Sequence, residues 1–188
     1  MRNQNGKFAT LLVFALASLL VAAHGQGKPE AYSGVAKATG GAGGMVHFDL
    51  TINAYNTDEE IGGYATLFKE KGQGALRLAL EKEIKGRLTP AGSLGIDVAV
   101  ASKEQQGANT VITIVTARVM PFSGAYQGAN RSTDYPFGFM QITLNEKGEG
   151  TGTIISAAKL KFDKRKAHME IESLGGQPIG IPTVRAVK

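Results

Sequence analysis

Between positions 45 and 53 the chain alternates: Val46, Phe48, Leu50 and Ile52 are apolar, while His47, Asp49 and Thr51 between them are polar. A period of two is the pattern of a strand with one buried and one solvated face. A weaker strand, 31–38, precedes it and runs into the flexible run Gly40-Gly41-Ala42-Gly43-Gly44. The period then changes. Thr57-Asp58-Glu59-Glu60 has the form of a capping box, in which the threonine oxygen accepts from the third helical amide and Glu60 reaches back to the cap amide. Ile61, Tyr64, Leu67 and Phe68 recur at three and four residues behind it, and Lys69, Lys71 and Gly72 supply the cations and glycine that end helices. A second short helix is expected over 75–84, with Leu76, Leu80 and Ile84 on one side. Gly62 and Gly63 each weaken the first helix by about 1 kcal/mol, so packing must hold it.

From Arg87 onward the period is two again: 87–89, then Leu94, Ile96, Val98 and Val100, then 110–119, 137–144, 151–162, 167–174 and 179–184. No crossover helices separate these segments, so they pair antiparallel. Asn145-Glu146-Lys147-Gly148-Glu149 suits a tight hairpin loop with Gly148 left-handed. It sets Leu144 opposite Gly150, Ile142 opposite Gly152 and Met140 opposite Ile154. A four-residue turn at Asp163-Lys164-Arg165-Lys166 sets Leu160 opposite Met169, Lys159 opposite Glu170 and Lys161 opposite His168. The fold expected is α+β, mainly β: a meandering antiparallel sheet of about seven or eight strands, barrel-like or strongly bent. A helical hairpin at about 57–84 is inserted into it and covers one face or one open end.

The first 25 residues belong to a different class of segment. Arg2 and Lys7 flank a polar start, and residues 8–23 are apolar or small apart from Thr10 and Ser18. Sixteen such residues are fewer than the roughly 20 a bilayer span needs, so this is a secretory signal peptide. Cleavage is expected after Gly25, or less strictly after Ala23, leaving 26–188 as one β-rich globular domain with no membrane span, periplasmic or secreted. Losing Arg2 and Lys7 takes the net charge from +5 to +3. So small and scattered an excess does not make a nucleic-acid binder, and the densest basic stretch, 159–166, reads as a turn. With no Cys there is no disulfide scaffold, thiol nucleophile or lipidated cysteine.

Chemistry-bearing motifs are sparse. His47 and Asp49 project from one strand face and would share a metal or a proton given a third ligand from another strand; without it they form a solvated face. His168, Glu170 and Glu172 repeat that spacing. Cleavage after Ala23 would make His24 an amino-terminal chelator of copper, with His47 or His168 as a second ligand. No nucleophile elbow, phosphate loop or dinucleotide fingerprint occurs. The longest irregular stretch, 121–136, carries Tyr126, Arg131, Asp134 and Tyr135, which can line a binding rim or form a local ion pair with packed tyrosines. Arg118 is an isolated charge in a β-branched strand, expected as a buried pair partner for Asp134.

Thr57-Asp58-Glu59-Glu60, Lys71-Gly72-Gln73-Gly74-Ala75-Leu76, Thr116-Ala117-Arg118-Val119, Asp134-Tyr135-Pro136-Phe137 and Gly148-Glu149-Gly150-Thr151-Gly152, in that order, resemble a family of small exported bacterial proteins of unknown function. The resemblance covers most of the mature chain and implies one exported domain, with no catalytic residue to carry over. The functional expectation is an exported, cofactor-free, non-enzymatic domain that binds an apolar or amphipathic ligand or a cell-envelope component between sheet and helical hairpin. A metal-dependent or hydrolytic enzyme using His47 and Asp49, and a structural or assembly protein of the envelope, are the alternatives.

Overall fold

The computed structural model of the protein describes residues 28–37, 44–122, 134–163, 168–174 and 177–187. The expected leader, Tyr126, Arg131 and residues 164–166 of the expected turn lie outside them. The elements in chain order are β1 (Glu30–Lys37), β2 (Met45–Ile52), α1 (Asp58–Leu80), β3 (Gly86–Pro90), β4 (Ile96–Val98), β5 (Val100–Gln106), β6 (Asn109–Thr116), β7 (Phe137–Leu144), β8 (Glu149–Asp163), β9 (His168–Ser173) and β10 (Ile179–Val187). All pairings are antiparallel, in the order β4-β3-β2-β1-β10-β8-β7-β6-β5, with β9 on the second half of β8.

The meander is broken once, because β10 passes over β9 and enters between β8 and β1. The sheet then curls into a nearly closed barrel. The bent stretch β4–β5 touches both sides of the seam, β4 pairing with β3 and β5 with β6, and the Ala99 amide between them donates to the Val115 carbonyl at 2.9 Å. Asn56 caps the remaining edge: its amide donates to the Ala101 carbonyl at 2.8 Å and its Oδ1 accepts from the Ala101 amide at 2.9 Å. Asn56 is buried, and those two bonds satisfy backbone groups that a half-open edge would leave bare.

Alternation sends Phe48, Leu50, Ile52, Leu88, Ile112, Ile114, Met140, Ile142, Ile154 and Ile181 inward as one packed cluster. Phe48 meets Phe122 edge to face at 5.8 Å. The first hairpin has the expected register, Leu144↔Gly150, Ile142↔Gly152 and Met140↔Ile154, around a left-handed Gly148. The second differs. Leu160 faces Ile171, Phe162 faces Met169, Lys159 faces Glu172 and Lys161 faces Glu170, a slip of two residues that leaves every side chain on its expected face. The basic stretch read as a turn therefore begins inside β8, with Lys159 and Lys161 in the ladder.

Helix α1 starts at the capping box, with the Glu60 amide donating to Thr57 Oγ1 at 3.2 Å and the Thr57 amide donating to Glu60 Oε2 at 2.9 Å. It breaks at Gly72, whose φ of 76° no other residue adopts cheaply. A straight 23-residue helix would be about 34 Å long, yet Lys85 Nζ, just past its end, donates to Glu60 Oε1 at 2.9 Å. The pieces 58–71 and 73–80 thus fold back as a hairpin. It lies on the outer face of the sheet, where Phe68, Leu76 and Leu80 pack with Phe137, Ala117 and Ala158 and against Val115, Phe139 and Ile155. The helix ends at Leu80, and Ile84, expected to pack, is 65% exposed. Leu94, expected at the head of a strand, sits in the turn between β3 and β4 and is 93% exposed. Among the described residues no helix is long and apolar enough to cross a membrane.

Candidate functional site

His47 and Asp49 stand exposed on β2, opposite Val35 and Ser33 of β1. Among the described residues no group of three or more His, Asp or Glu side chains gathers as a metal would need. His24 and the side chain of His168 lie outside the described residues. Asp134 is exposed, and its carbonyl accepts from Gln73 Nε2 at 3.1 Å. Tyr135 is half-buried; its hydroxyl donates to Glu172 Oε1 at 2.8 Å and Lys159 Nζ lies 5.9 Å from its ring centre. That hydroxyl is pushed up from its ordinary value, first by the bond to Glu172 and then by burial. Ser156 and Lys159, three apart on β8, form no dyad, since Ser156 Oγ is buried without a partner among the described residues while the ammonium sits over Tyr135.

A cluster with no sequence signature joins three separate segments, β1, the β2–α1 link and β5. Glu30 Oε2 accepts from the hydroxyls of Tyr32 and of Tyr55, the latter at 2.6 Å, and Lys103 Nζ donates to Glu30 Oε1 at 2.8 Å and to Oε2 at 3.1 Å. Lys103 also stands 5.4 Å over the Tyr55 ring. Burial pushes the Glu30 carboxyl up, but the Lys103 ammonium and the two hydroxyls outweigh it and hold the group below its ordinary 4.5. Burial and then the bond to Glu30 push both phenols above their ordinary value. Each donor has its acceptor, so the cluster is a latch that holds β1 and Tyr55 to β5. Because the folded state binds the Glu30 proton less tightly than the unfolded chain, the latch stabilises fully above pH 4.5. That stabilisation is lost as the pH falls through the folded value. Glu30→Gln should flatten this part of the acid dependence of urea midpoints, and an unchanged acid slope would count against the latch.

A second place is a half-open depression lined by both apolar and charged side chains. A depression of about 260 Å³ opens on the outside, between the end of α1 and the β3–β4 turn. Leu80, Ala99 and Ala117 line it, and all three belong to the apolar layer beneath the hairpin. Arg87, Asp97, Leu94 and Arg118 line it too. Arg87 is committed to Asp97 at 2.7 Å and to the Leu94 carbonyl at 2.5 Å. Glu81 is committed to Arg77 at 2.6 Å, and Glu83 faces the Tyr64 hydroxyl, which burial and then that carboxylate push above its ordinary value. Arg118, expected as a buried partner of Asp134, is instead exposed and makes no ion pair with it among the described residues. The reason is local: β6 ends at Thr116, whose Oγ1 donates to the Arg118 carbonyl at 2.6 Å, and the chain turns outward there. Of the candidate site residues expected from sequence that are described, only Arg118 reaches this depression. Comparison of the chain with family models and with curated proteins, and of the fold with solved structures, gives no match.

Proposed function

We propose that the protein is an exported, non-enzymatic binding domain for an amphipathic ligand with an anionic end, seated where the helical hairpin meets the outer sheet. The observation that carries this reading is the depression itself: its Leu80, Ala99 and Ala117 lining is continuous with an apolar layer, and Arg118 stands at it with its charge uncommitted among the described residues. Apolar surface with a few placed polar groups is the usual make-up of a small-molecule site, and an arginine is the side chain suited to a carboxylate or phosphate. The barrel interior is filled by its own side chains, which favours the outer layer over the inside of the barrel. Export to the periplasm or beyond rests on the leader-like residues 1–25, and a cell-envelope amphiphile fits both features.

Titration of the mature protein with a fluorescent long-chain fatty acid should give saturable binding. Loss of a charge-assisted contact worth about 1.5–3 kcal/mol makes Arg118→Glu roughly tenfold weaker or more, while the uncharged alcohol of the same chain length should be indifferent to the substitution. Absence of saturable binding, or equal affinity in Arg118→Glu, overturns the proposal.

A further inference from the structure

The hairpin α1 is held unevenly. At its base it is tied to the sheet by Lys85 on Glu60 and by Asn56, which donates to Glu60 and accepts from the Ala101 amide on the edge of β5. Along its length only Phe68, Leu76 and Leu80 of its 23 residues are buried. Gly62 and Gly63 are exposed, and a Cβ added to either would meet nothing within 4 Å. No close approach among the described residues demands glycine there, and the two residues weaken the helix by about 1 kcal/mol each relative to alanine. At the far end the bend at Gly72 is equally open. There Gln73 Nε2 donates to the Asp134 carbonyl at 3.1 Å, while the other half of that amide, Oε1, is buried without a partner among the described residues. A latch with half its polar capacity unmet is weak.

We infer that the hairpin is a hinged cover, fixed at its base and released at its bend, which opens off the sheet without unfolding the barrel. Segments with few buried apolar contacts and exposed helical backbone open locally, below the free energy of global unfolding. Opening uncovers Val115, Phe139 and Ile155, a surface suited to an aliphatic chain whose charged end stays at Arg118. The opening itself rests on the hairpin's own packing; its use for loading rests on the binding reading above.

Native-state hydrogen exchange on the full mature chain tests it. Amides of 58–80 should exchange at least tenfold faster than those of β6 and β7. The double substitution Gly62→Ala with Gly63→Ala should slow the helical amides at least tenfold and leave the barrel amides unchanged; Gln73→Ala should speed the helical ones. Hairpin and barrel amides exchanging together, with one common response to these substitutions, overturns the cover. Adding the fluorescent fatty acid separates the two ideas. Slower association with the stiffened double variant supports loading through the cover, and association unchanged by it overturns that role. Fast exchange with no binding at all leaves the cover standing and removes the ligand reading.

Discussion

Phe137→Ala lowers the unfolding free energy by about 3–5 kcal/mol, a large part of the 5–15 kcal/mol typical of a whole domain. Phe137 is fully buried and packs in the layer between sheet and hairpin, among Phe68, Leu76 and Ala158. It also stands at the point where β7 and β8 lose step: Phe137 faces Ala158 while Phe139 faces Ile155, so β8 carries the one extra residue of a bulge. Truncation empties a site whose walls are two different layers, and neither can follow the loss without dragging its own contacts. Urea denaturation should show the midpoint fall with little change of slope, and Phe137→Leu should retain most of the stability. A loss below about 1 kcal/mol on Phe137→Ala would mean that the layer is not packed as described.

Gly150→Ala is expected to cost about 1–3 kcal/mol or more, an effect out of proportion to one methyl group. A Cβ at Gly150 would lie 1.8 Å from the Thr143 carbonyl oxygen and 2.8 Å from its carbon. The obstacle is backbone of the paired strand, which cannot rotate away as a side chain can, so the hairpin must open or shift. Gly180 is the matched control, a strand glycine whose added Cβ meets nothing within 4 Å. Gly180→Ala should change the melting temperature little while Gly150→Ala lowers it by several degrees. Equal melting temperatures for the two variants would refute the close approach.

The features that were legible before any coordinates are those whose causes lie within a few residues. The capping box at Thr57 and Glu60 is a contact across three positions. The β7–β8 register follows from a loop too short to allow another and a glycine free to be left-handed. The β8–β9 register escaped because two alignments differing by two residues put the same residues on the same faces and both oppose lysine to glutamate. Leu94 was misplaced for a related reason: alternation continues through the turn, and only the pairing of Leu88 with Ile96 shows where the strand begins.

Of the candidate site, Arg118 was recognisable as an odd charge in an apolar strand, but Arg87, Leu80 and Ala99 come from segments with no common pattern. The latch of Glu30, Tyr32, Tyr55 and Lys103 joins residues up to 73 apart, and each of them alone is an unremarkable strand or loop residue. The sequence by itself determined that this chain is an antiparallel β-protein with one helical insertion, because period, capping and turn chemistry are local and every strand repeats them. Only the tertiary structure decided which edges meet, what seals the seam, and that the hairpin lies outside a filled barrel. Those outcomes depend on which distant surfaces fit together, and hydrophobic alternation marks a face as apolar without naming its partner.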